Sequence, residues 1–130
     1  IEFLAPLQFY DTMNNNSVVV KLTYGDTSFL MMGDAEKEEE QDLLNSGANL
    51  QADVIKIGHH GSKTSTTQEF LNAVQPNMAV ISVGPDKNEL PKSEVLQRLE
   101  ASNVKTYRTD SSGTVIFMSD GADITVATEQ

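Results

Sequence analysis

The sequence predicts a layered α/β fold, because strand-like and helix-like segments alternate along the middle of the chain. Short β-branched or fully apolar runs predict buried strands, and the segments between them repeat their apolar residues with a helical period. Polar residues, Asp and His among them, stand directly after two of the predicted strands. In folds of this class such positions gather at one edge of the sheet, where ligands bind.

The first half of the chain predicts a β-hairpin followed by a helix. Ser17–Tyr24 is rich in β-branched and apolar residues, and Ser28–Met32 returns from a Gly-Asp turn as a second strand. Asp34–Asn45 predicts a helix with acidic residues at its beginning, where they interact favourably with the helix dipole. Gly47 is placed to end this helix.

The second half predicts two further strand–helix units and three short strands. Ala52–Ile57 and Met78–Val83 predict strands. Thr66–Gln75 begins with capping-box spacing and is stopped by a proline, and Pro91–Ser102 has proline in its first turn. The last three predicted strands are Lys105–Arg108, Thr114–Met118 and Asp123–Ala127. The residues expected in the core are Val19, Leu22, Phe29, Met31, Val54, Ile55, Ile57, Val80, Ile81 and Val83.

Length and composition limit the fold and the chemistry. The 130 residues suffice for one compact domain, and no apolar run approaches the ~20 residues of a membrane helix. The net charge of −10 disfavours passive binding of duplex nucleic acid, but a nuclease is not excluded because metal ions can supply positive charge. The absence of Cys excludes disulfides, Cys-based zinc sites and thiol catalysis. With two His, a metal site must use carboxylates or ligands from outside the chain.

Two adjacent histidines, His59 and His60, follow a predicted strand and are bracketed by Gly58 and Gly61. Glycines allow a sharp bend and a close approach to a ligand, so an imidazole in this loop could reach a metal. The alternative is a polar loop with two solvated histidines. Asp34 stands at the end of an earlier strand. It could cap the following helix or bridge two cations, and the two roles can use different carboxylate oxygens.

Three segments carry a family resemblance. They are Asn14–Glu36, which contains GDAE, Ala52–Leu71, which contains KIGHHGSKTS, and AVISVG followed by EVLQRL. These segments resemble the metallo-β-lactamase-like domain of ComEC-type competence proteins, which are bacterial DNA-internalisation channels, and the similarity extends from roughly Leu4 to Gly121. Free-standing secreted hydrolases belong to the same subgroup. The resemblance implies half of an αββα sandwich: a mixed sheet with helices on one face and an apolar opposite face.

The resemblance also implies a role for each candidate site residue. Asp34 matches the bridging carboxylate, and His60 matches the metal-ligand histidine two places before a serine. His59 becomes a substrate-facing or proton-transferring neighbour, and Ser62 becomes a hydrogen-bond donor to a phosphate or to a ligand. The complete domain is expected to hold two divalent ions, zinc or manganese, with an incomplete site in this chain.

The chain departs from the family pattern in three places. The HxHxDH motif, which supplies most metal ligands, is absent from the sequence and is expected in an N-terminal half that precedes Ile1. Residues 1–130 are therefore expected to be the C-terminal half of the domain. The loop Asn14–Ser17 stands where many superfamily members have another His ligand. In the stretch Asn88–Pro91, Leu90 replaces the subgroup's His and can neither bind metal nor transfer a proton.

The function that the resemblance implies is a metal-dependent hydrolase of the competence DNA-uptake type, acting on phosphodiesters of single-stranded DNA. The alternatives are a secreted esterase or lactamase-like hydrolase, and a degenerate non-catalytic domain, since fold alone does not separate them. The isolated chain is expected to be inactive, because two ligands do not complete a two-metal site. The expected location is the extracellular or cell-surface face of a bacterium, in a parent protein that is membrane-attached or secreted.

An apolar sheet face left exposed predicts an interface, since large exposed apolar patches are rare in soluble monomers. We expect this face to bind the missing N-terminal half, or to pair two copies of the chain as a homodimer. Single-stranded DNA is the expected substrate partner.

Overall fold

The computed structural model describes residues 1–85 and 89–129, and within them six strands form one sheet. In order across the sheet these are β1 (Glu2–Ala5), β2 (Val19–Tyr24), β3 (Thr27–Met31), β4 (Val54–Lys56), β5 (Met78–Ile81) and β6 (Lys105–Arg108). A separate hairpin consists of β7 (Thr114–Ser119) and β8 (Ile124–Glu129). The α-helices are α1 (Lys37–Asn45), α2 (Gln68–Val74), α3 (Ser93–Ala101) and the short α4 (Thr109–Ser112). Turns of 3-10 helix cover Asn14–Asn16 and Gly58–Gly61.

The six-stranded sheet is mixed. Strands β1, β2 and β3 pair antiparallel, whereas β3, β4, β5 and β6 pair in parallel. Each parallel connection passes through a helix, in the order α1, α2 and α3. Right-handed crossovers between strands that follow one another across the sheet place these three helices on the same face. The predicted α/β fold, a mixed sheet with helices on one face, is confirmed.

The core lies between the sheet and the three helices. The strand register places Leu30, Ile55 and Ala79 side by side on the helix-facing side of the sheet, and all three are buried. Leu43 of α1 and Phe70 of α2 are buried in the same core. Full burial of a large apolar side chain contributes about 1.5–3 kcal/mol to folding. This layer fixes the carboxyl ends of β3 and β4, from which the candidate site is built.

The other face of the sheet is only partly covered. Phe117 of the β7–β8 hairpin packs edge-on against Phe29 and Tyr107, with ring centroids 6.4 and 5.8 Å apart. Beyond the hairpin, the register aligns Phe3 with Met31 across β2 on this same face. Phe3 is 75% exposed and Met31 is 40% exposed. We call this uncovered part of the sheet, which includes Phe3 and Met31, the open face.

Burial agrees with the predicted core at most positions. Val19, Val54, Ile55, Ile57, Ile81 and Val83 are buried, and Leu22, Phe29 and Val80 are half-buried. The prediction is wrong for Met31, because alternation along β3 turns its side chain away from the helices and onto the open face. Strand β1 was not predicted, since it contains no β-branched residue and is followed by a proline. In the part of the chain that the structure describes, no helix has the length and apolar character needed to span a membrane.

Candidate functional site

The two polar clusters that follow predicted strands meet at one edge of the sheet. Strands β3 and β4 are parallel neighbours, so their carboxyl ends lie side by side. Asp34 follows β3, and the 3-10 turn Gly58–Gly61 follows β4. The backbone N–H of His59 donates a hydrogen bond of 3.1 Å to the carbonyl of Gly33 and joins the two segments. Strand pairing thus brings together residues that are far apart in the sequence.

Both histidines adopt a left-handed backbone conformation. The φ angle is 46° at His59 and 54° at His60, and Gly61 follows with 80°. A non-glycine residue in this region costs of the order of 1–3 kcal/mol, and such strain is concentrated at functional sites. Glycine is required at position 61, because a Cβ atom there would lie 2.4 Å from Cβ of Pro91. The two imidazole rings diverge, with centroids 6.4 Å apart and planes at 64°.

His60 faces Asp34 across this edge. The Nε2 atom of His60 lies 3.4 Å from Oδ1 of Asp34, and both side chains are nearly half exposed. The Nδ1 atom of His60 lies 2.7 Å from the carbonyl oxygen of Ser82, and a hydrogen bond to a carbonyl requires a proton on Nδ1. In the neutral ring, Nε2 is then an acceptor that faces a carboxylate, which is also an acceptor. A cation between the two atoms would satisfy both.

The spacing of this pair fits a metal ion. In a tetrahedral zinc site, bonds of ~2.0–2.1 Å to His nitrogen and carboxylate oxygen separate the two ligand atoms by ~3.3 Å. The Asp34–His60 distance of 3.4 Å matches one edge of such a site. The contact between His60 Nδ1 and the Ser82 carbonyl is of the kind that orients the imidazole in metal sites. Among the described residues no group of three or more His, Asp or Glu is arranged to hold an ion.

Asp34 is held by the loop that precedes β2. Its backbone N–H donates to Oγ of Ser17 at 3.0 Å. Gly33 before it has a φ of 58°, and a Cβ atom there would lie 3.1 Å from Cβ of Ser17. The predicted helix start at Asp34 is displaced, because α1 begins at Lys37 and its N-cap position is occupied by Glu36. The Asp34 carboxylate is therefore not used as the helix cap and points towards His60 instead.

Asn15, in the same loop, accepts hydrogen bonds from backbone N–H groups at the beginning of α1. This buried side chain accepts hydrogen bonds at Oδ1 from the backbone N–H groups of Glu36 and Glu39, at 3.0 and 3.3 Å. Its Nδ2 donates to Glu38 at 3.0 Å. The first N–H groups of a helix lack partners within the helix, so this contact anchors α1 to the loop. The Asn14–Ser17 loop, where a further His ligand is common in the superfamily, here holds both α1 and Asp34.

Glu36 was not singled out from the sequence, yet it is a central residue of the site. Its Oε1 atom lies 3.1 Å from Nδ1 of His59, 3.2 Å from Oγ1 of Thr64 and 3.1 Å from Nδ2 of Asn14. The position of Glu36 two residues after Asp34, in GDAE, is the sequence signal that could have found it. Its carboxylate connects the histidine loop, the beginning of α1 and the asparagine loop.

Ser62 and Lys56 complete the immediate surroundings. The Ser62 hydroxyl lies 3.0 Å from Oγ1 of Thr64, within its own loop, and its role as a donor to a phosphate stays a prediction. Lys56 ends β4, and its Nζ donates to the carbonyl of Ile57 at 2.8 Å. Burial lowers the pKa of Lys56, whereas the nearby carboxylate of Asp34 acts in the opposite direction. Lys56 is thus a cation close to Asp34 that the sequence pattern did not point out.

A shallow cleft opens beside His60. It has a volume of about 430 Å³ and is lined by His60, Ser82, Val83, Gly84 and Pro85. Leu90, where the resemblance implies a His, is half-buried and packs against the hydrophobic core. Asn88, at the start of the same stretch, lies outside the described residues. The cleft provides an approach to His60 from solvent.

The sequence is similar to one protein family and to several longer bacterial proteins. Residues 2–84, a range that includes every candidate site residue, match the metallo-beta-lactamase superfamily. The chain is 44% identical over 105 residues to ComE operon protein 3 of Bacillus subtilis, which is 80% of this chain and 14% of that protein. It is 38% identical over 119 residues to competence protein ComA of Neisseria gonorrhoeae, with 89% and 17% covered. For recombination protein 2 of Haemophilus influenzae the identity is 37% over 103 residues, with 78% and 13% covered. The chain spans less than a fifth of the length of these relatives.

Proposed function

This chain belongs to the metallo-β-lactamase superfamily, and on that premise we propose that it is part of a metal-dependent hydrolase of the competence DNA-uptake type. Its substrate would be the phosphodiester bonds of single-stranded DNA. The observation that carries the proposal is the pair formed by His60 Nε2 and Asp34 Oδ1, 3.4 Å apart, with the His60 ring oriented by Ser82. Two similar proteins are named as a competence protein and a recombination protein, which supports DNA as the substrate.

Asp34 and His60 are the residues of this chain that would hold the divalent ions, zinc or manganese. Such ions, when bound, supply the positive charge that stabilises a phosphodiester in its transition state. Without that charge, the net charge of −10 would repel a DNA strand. The remaining ligands would come from an N-terminal half that packs on the open face, where Phe3 and Met31 are exposed.

The other residues of the site would bind the substrate and move protons. His59 diverges from His60 and is 28% exposed, so its ring can donate a proton to the leaving oxygen of the scissile bond. Lys56, close to Asp34, adds positive charge near the phosphate. Ser62 would exchange its contact with Thr64 for a hydrogen bond to a phosphate oxygen. The site would work on the extracellular or cell-surface side of a bacterium.

Zinc binding by the chain itself tests the metal part of the proposal. Addition of Zn²⁺ should shift the Nε2 resonance of His60 in ¹⁵N NMR spectra, and a chelator should reverse the shift. Asp34→Asn should abolish this response, because it removes one of the two ligands. His59→Ala is the control and should leave the response of His60 in place. An unchanged zinc response in Asp34→Asn would show that this pair is not a metal site.

Hydrolysis of a fluorescent single-stranded oligonucleotide tests the substrate. The chain joined to the proposed N-terminal half should cleave it in a chelator-sensitive reaction, and the 130-residue chain alone should not. Asp34→Asn and His60→Ala should reduce cleavage by the joined protein to background. Sustained cleavage by the isolated chain would contradict the assignment of an incomplete site. A joined protein that hydrolyses an ester but no DNA would contradict the assignment of the substrate.

A further inference from the structure

A second carboxylate–imidazole pair lies beside the Asp34–His60 pair. The Nδ1 atom of His59 is 3.1 Å from Oε1 of Glu36. In the His60 pair the carboxylate faces Nε2, whereas in the His59 pair it faces Nδ1. The two rings are offered by consecutive residues of one strained turn and point in different directions. The two adjacent histidines therefore differ in their contacts. Nδ1 of His59 faces a carboxylate, whereas Nδ1 of His60 faces the carbonyl of Ser82.

The surroundings of Glu36 show which atom carries the proton. Its Oε1 receives the side-chain amide of Asn14 at 3.1 Å, and an amide NH₂ group has donors only. The Thr64 hydroxyl lies at 3.2 Å and can donate to the same oxygen. Since Glu36 Oε1 acts as an acceptor, Nδ1 of His59 must bring the proton for the 3.1 Å contact. Thr64 Oγ1 is 3.5 Å from Nδ1, too far for a strong competing hydrogen bond.

With the proton on Nδ1, the second ring nitrogen becomes the reactive one. In a neutral imidazole with a proton on Nδ1, Nε2 carries the lone pair. Within residues 1–85 and 89–129, Nε2 of His59 makes no hydrogen bond, and the side chain is 28% exposed. Nε2 can therefore exchange a proton with a group that enters from solvent, while Nδ1 stays bound to Glu36.

Glu36 is itself firmly held. Its backbone N–H donates to Oδ1 of the buried Asn15 at 3.0 Å. The next residue, Lys37, donates its backbone N–H to the carbonyl of Thr64 at 2.9 Å, which ties the beginning of α1 to the histidine loop. The Glu36 side chain is only 17% exposed. A carboxylate fixed from both sides is preorganised to orient a ring that would otherwise rotate.

We propose that Glu36 is a positioning residue that holds His59 in the Nδ1–H tautomer and presents Nε2 to the leaving oxygen of the substrate. The proposal deepens the proposed function and rests on it for the identity of the substrate. The unprotonated Nε2 first takes a proton from the attacking water, whose hydroxyl adds to phosphorus. The imidazolium formed in this way gives that proton from Nε2 to the leaving oxygen as the phosphorus–oxygen bond breaks, and the neutral ring is restored. Nδ1 keeps its proton throughout.

The tautomer can be measured on the purified chain, independently of activity. Long-range ¹H–¹⁵N NMR spectra are recorded at about pH 8.5, where a free imidazole is neutral. His59 should show a protonated Nδ1 and an unprotonated Nε2, with at least a roughly tenfold excess of this tautomer, the ratio that a charge-assisted hydrogen bond supports. Glu36→Ala should reduce this excess about tenfold. Glu69→Ala, an exposed glutamate on α2, is the control and should change nothing.

Several outcomes would overturn the proposal. His59 of the wild-type chain could carry its proton on Nε2, or Glu36→Ala could leave its spectrum unchanged. His60 serves as an internal reference, because Ser82 rather than Glu36 fixes its tautomer. Glu36→Gln keeps the size of the side chain, so it covers the case in which Glu36→Ala does not fold. A mixture of His59 tautomers in Glu36→Gln supports the proposal, and an unaltered Nδ1–H tautomer contradicts it.

A kinetic measurement separates this proposal from the proposed function. In the joined protein, Glu36→Ala should lower kcat for the oligonucleotide and leave KM nearly unchanged, because a misdirected His59 affects proton transfer and not binding. Glu69→Ala should alter neither constant. A rise in KM at constant kcat would show that Glu36 acts in binding. The joined protein could lack nuclease activity while the Nδ1–H tautomer of His59 still depends on Glu36. This result would refute the proposed substrate and leave the positioning role of Glu36 intact.

Discussion

Glu40 of α1 accepts hydrogen bonds from the backbone N–H groups of Thr66 and Thr67, at 2.8 and 2.9 Å. These two residues end the loop that carries both histidines and lead into α2. The hydroxyl of Thr67 adds a third bond at 3.3 Å, and Arg98 donates to the carbonyl of Thr66. Thr66 has a φ of 57°, so this network holds a left-handed residue in place. A buried carboxylate on one helix thus fixes the far end of the site loop.

Replacement of Glu40 should destabilise the fold. Glu40→Ala is expected to lower the free energy of unfolding by about 2–4 kcal/mol, because it leaves two largely buried N–H donors without an acceptor. Urea denaturation measures the change. Glu40→Gln should lose less, since an amide oxygen still accepts one bond. Glu94→Ala, at an exposed position in α3, is the control and should stay within about 0.5 kcal/mol of wild type. Equal losses in Glu40→Ala and Glu94→Ala would contradict the role of Glu40.

Glu39, the neighbour of Glu40, is a buried carboxyl group. In the described structure neither of its carboxylate oxygens makes a hydrogen bond of good geometry. Burial raises the pKa of Glu39 to about 8, an effect that the Ser17 backbone opposes and Asp42 reinforces. Burial also raises the pKa of Glu40 to about 7, although the hydrogen bonds from Thr66 and Thr67 act in the opposite direction. Both groups therefore bind a proton more tightly in the folded chain than in the unfolded chain.

Stability should fall as pH rises through these values. The contribution of a carboxyl group with a raised pKa is fully present below its unfolded pKa of 4.5 and is lost as pH approaches its folded pKa, about 8 for Glu39. Glu39→Gln keeps the site neutral and should remove most of the loss that occurs between pH 7 and pH 8, above the pKa of Glu40. Denaturation curves at a series of pH values measure this. The same pH profile in wild type and Glu39→Gln would refute the prediction.

A comparison of Gly61 with Gly47 separates two contributions to the stability of the histidine turn, the backbone conformation and the close approach to Pro91. Both have positive φ, 80° and 76°, but a Cβ atom at Gly61 would lie 2.4 Å from Cβ of Pro91, whereas nothing lies within 4 Å at Gly47. Gly47→Ala should cost about 1–2 kcal/mol, the conformational penalty alone. Gly61→Ala adds the clash and should cost at least about 3 kcal/mol. It should also disturb the His60 tautomer in ¹⁵N spectra. Equal stability losses in the two variants would contradict a close approach to Pro91.

The open face should make the isolated chain self-associate. Phe3 and Met31 expose apolar surface on the same side of the sheet, and pairing of two copies would bury it. Sedimentation at micromolar concentration should therefore detect a dimer. Phe3→Ser combined with Met31→Ser should shift the chain to monomer. Phe9→Ser, at a residue that is 86% exposed on the loop after β1, is the control and should leave the dimer intact. If the wild-type chain sediments as a monomer at every protein concentration tested, the prediction is wrong.

The order of most strands and helices could be predicted from the sequence because it depends on local patterns. Met78–Ile81 lies in a fully apolar run, and Ser93–Ala101 repeats its apolar residues with a helical period. In both, the structure agrees with the predicted ends to within three residues. The resemblance in GDAE and GHHGS named Asp34 and His60, which the structure places 3.4 Å apart. Met31 escaped prediction, since the period along one strand does not reveal which face a second sheet covers.

Tertiary structure alone decided how the site is held. The contact between Glu36 and His59 depends on the parallel pairing of β3 and β4 and on two consecutive residues with positive φ. The bonds from Glu40 to the start of α2 depend on how α1 and α2 pack over the sheet. A sequence pattern records which side chains are available, whereas these roles follow from distances between segments that meet only when the chain folds. Local propensity therefore specified the strands and helices, and long-range packing determined which groups each carboxylate contacts.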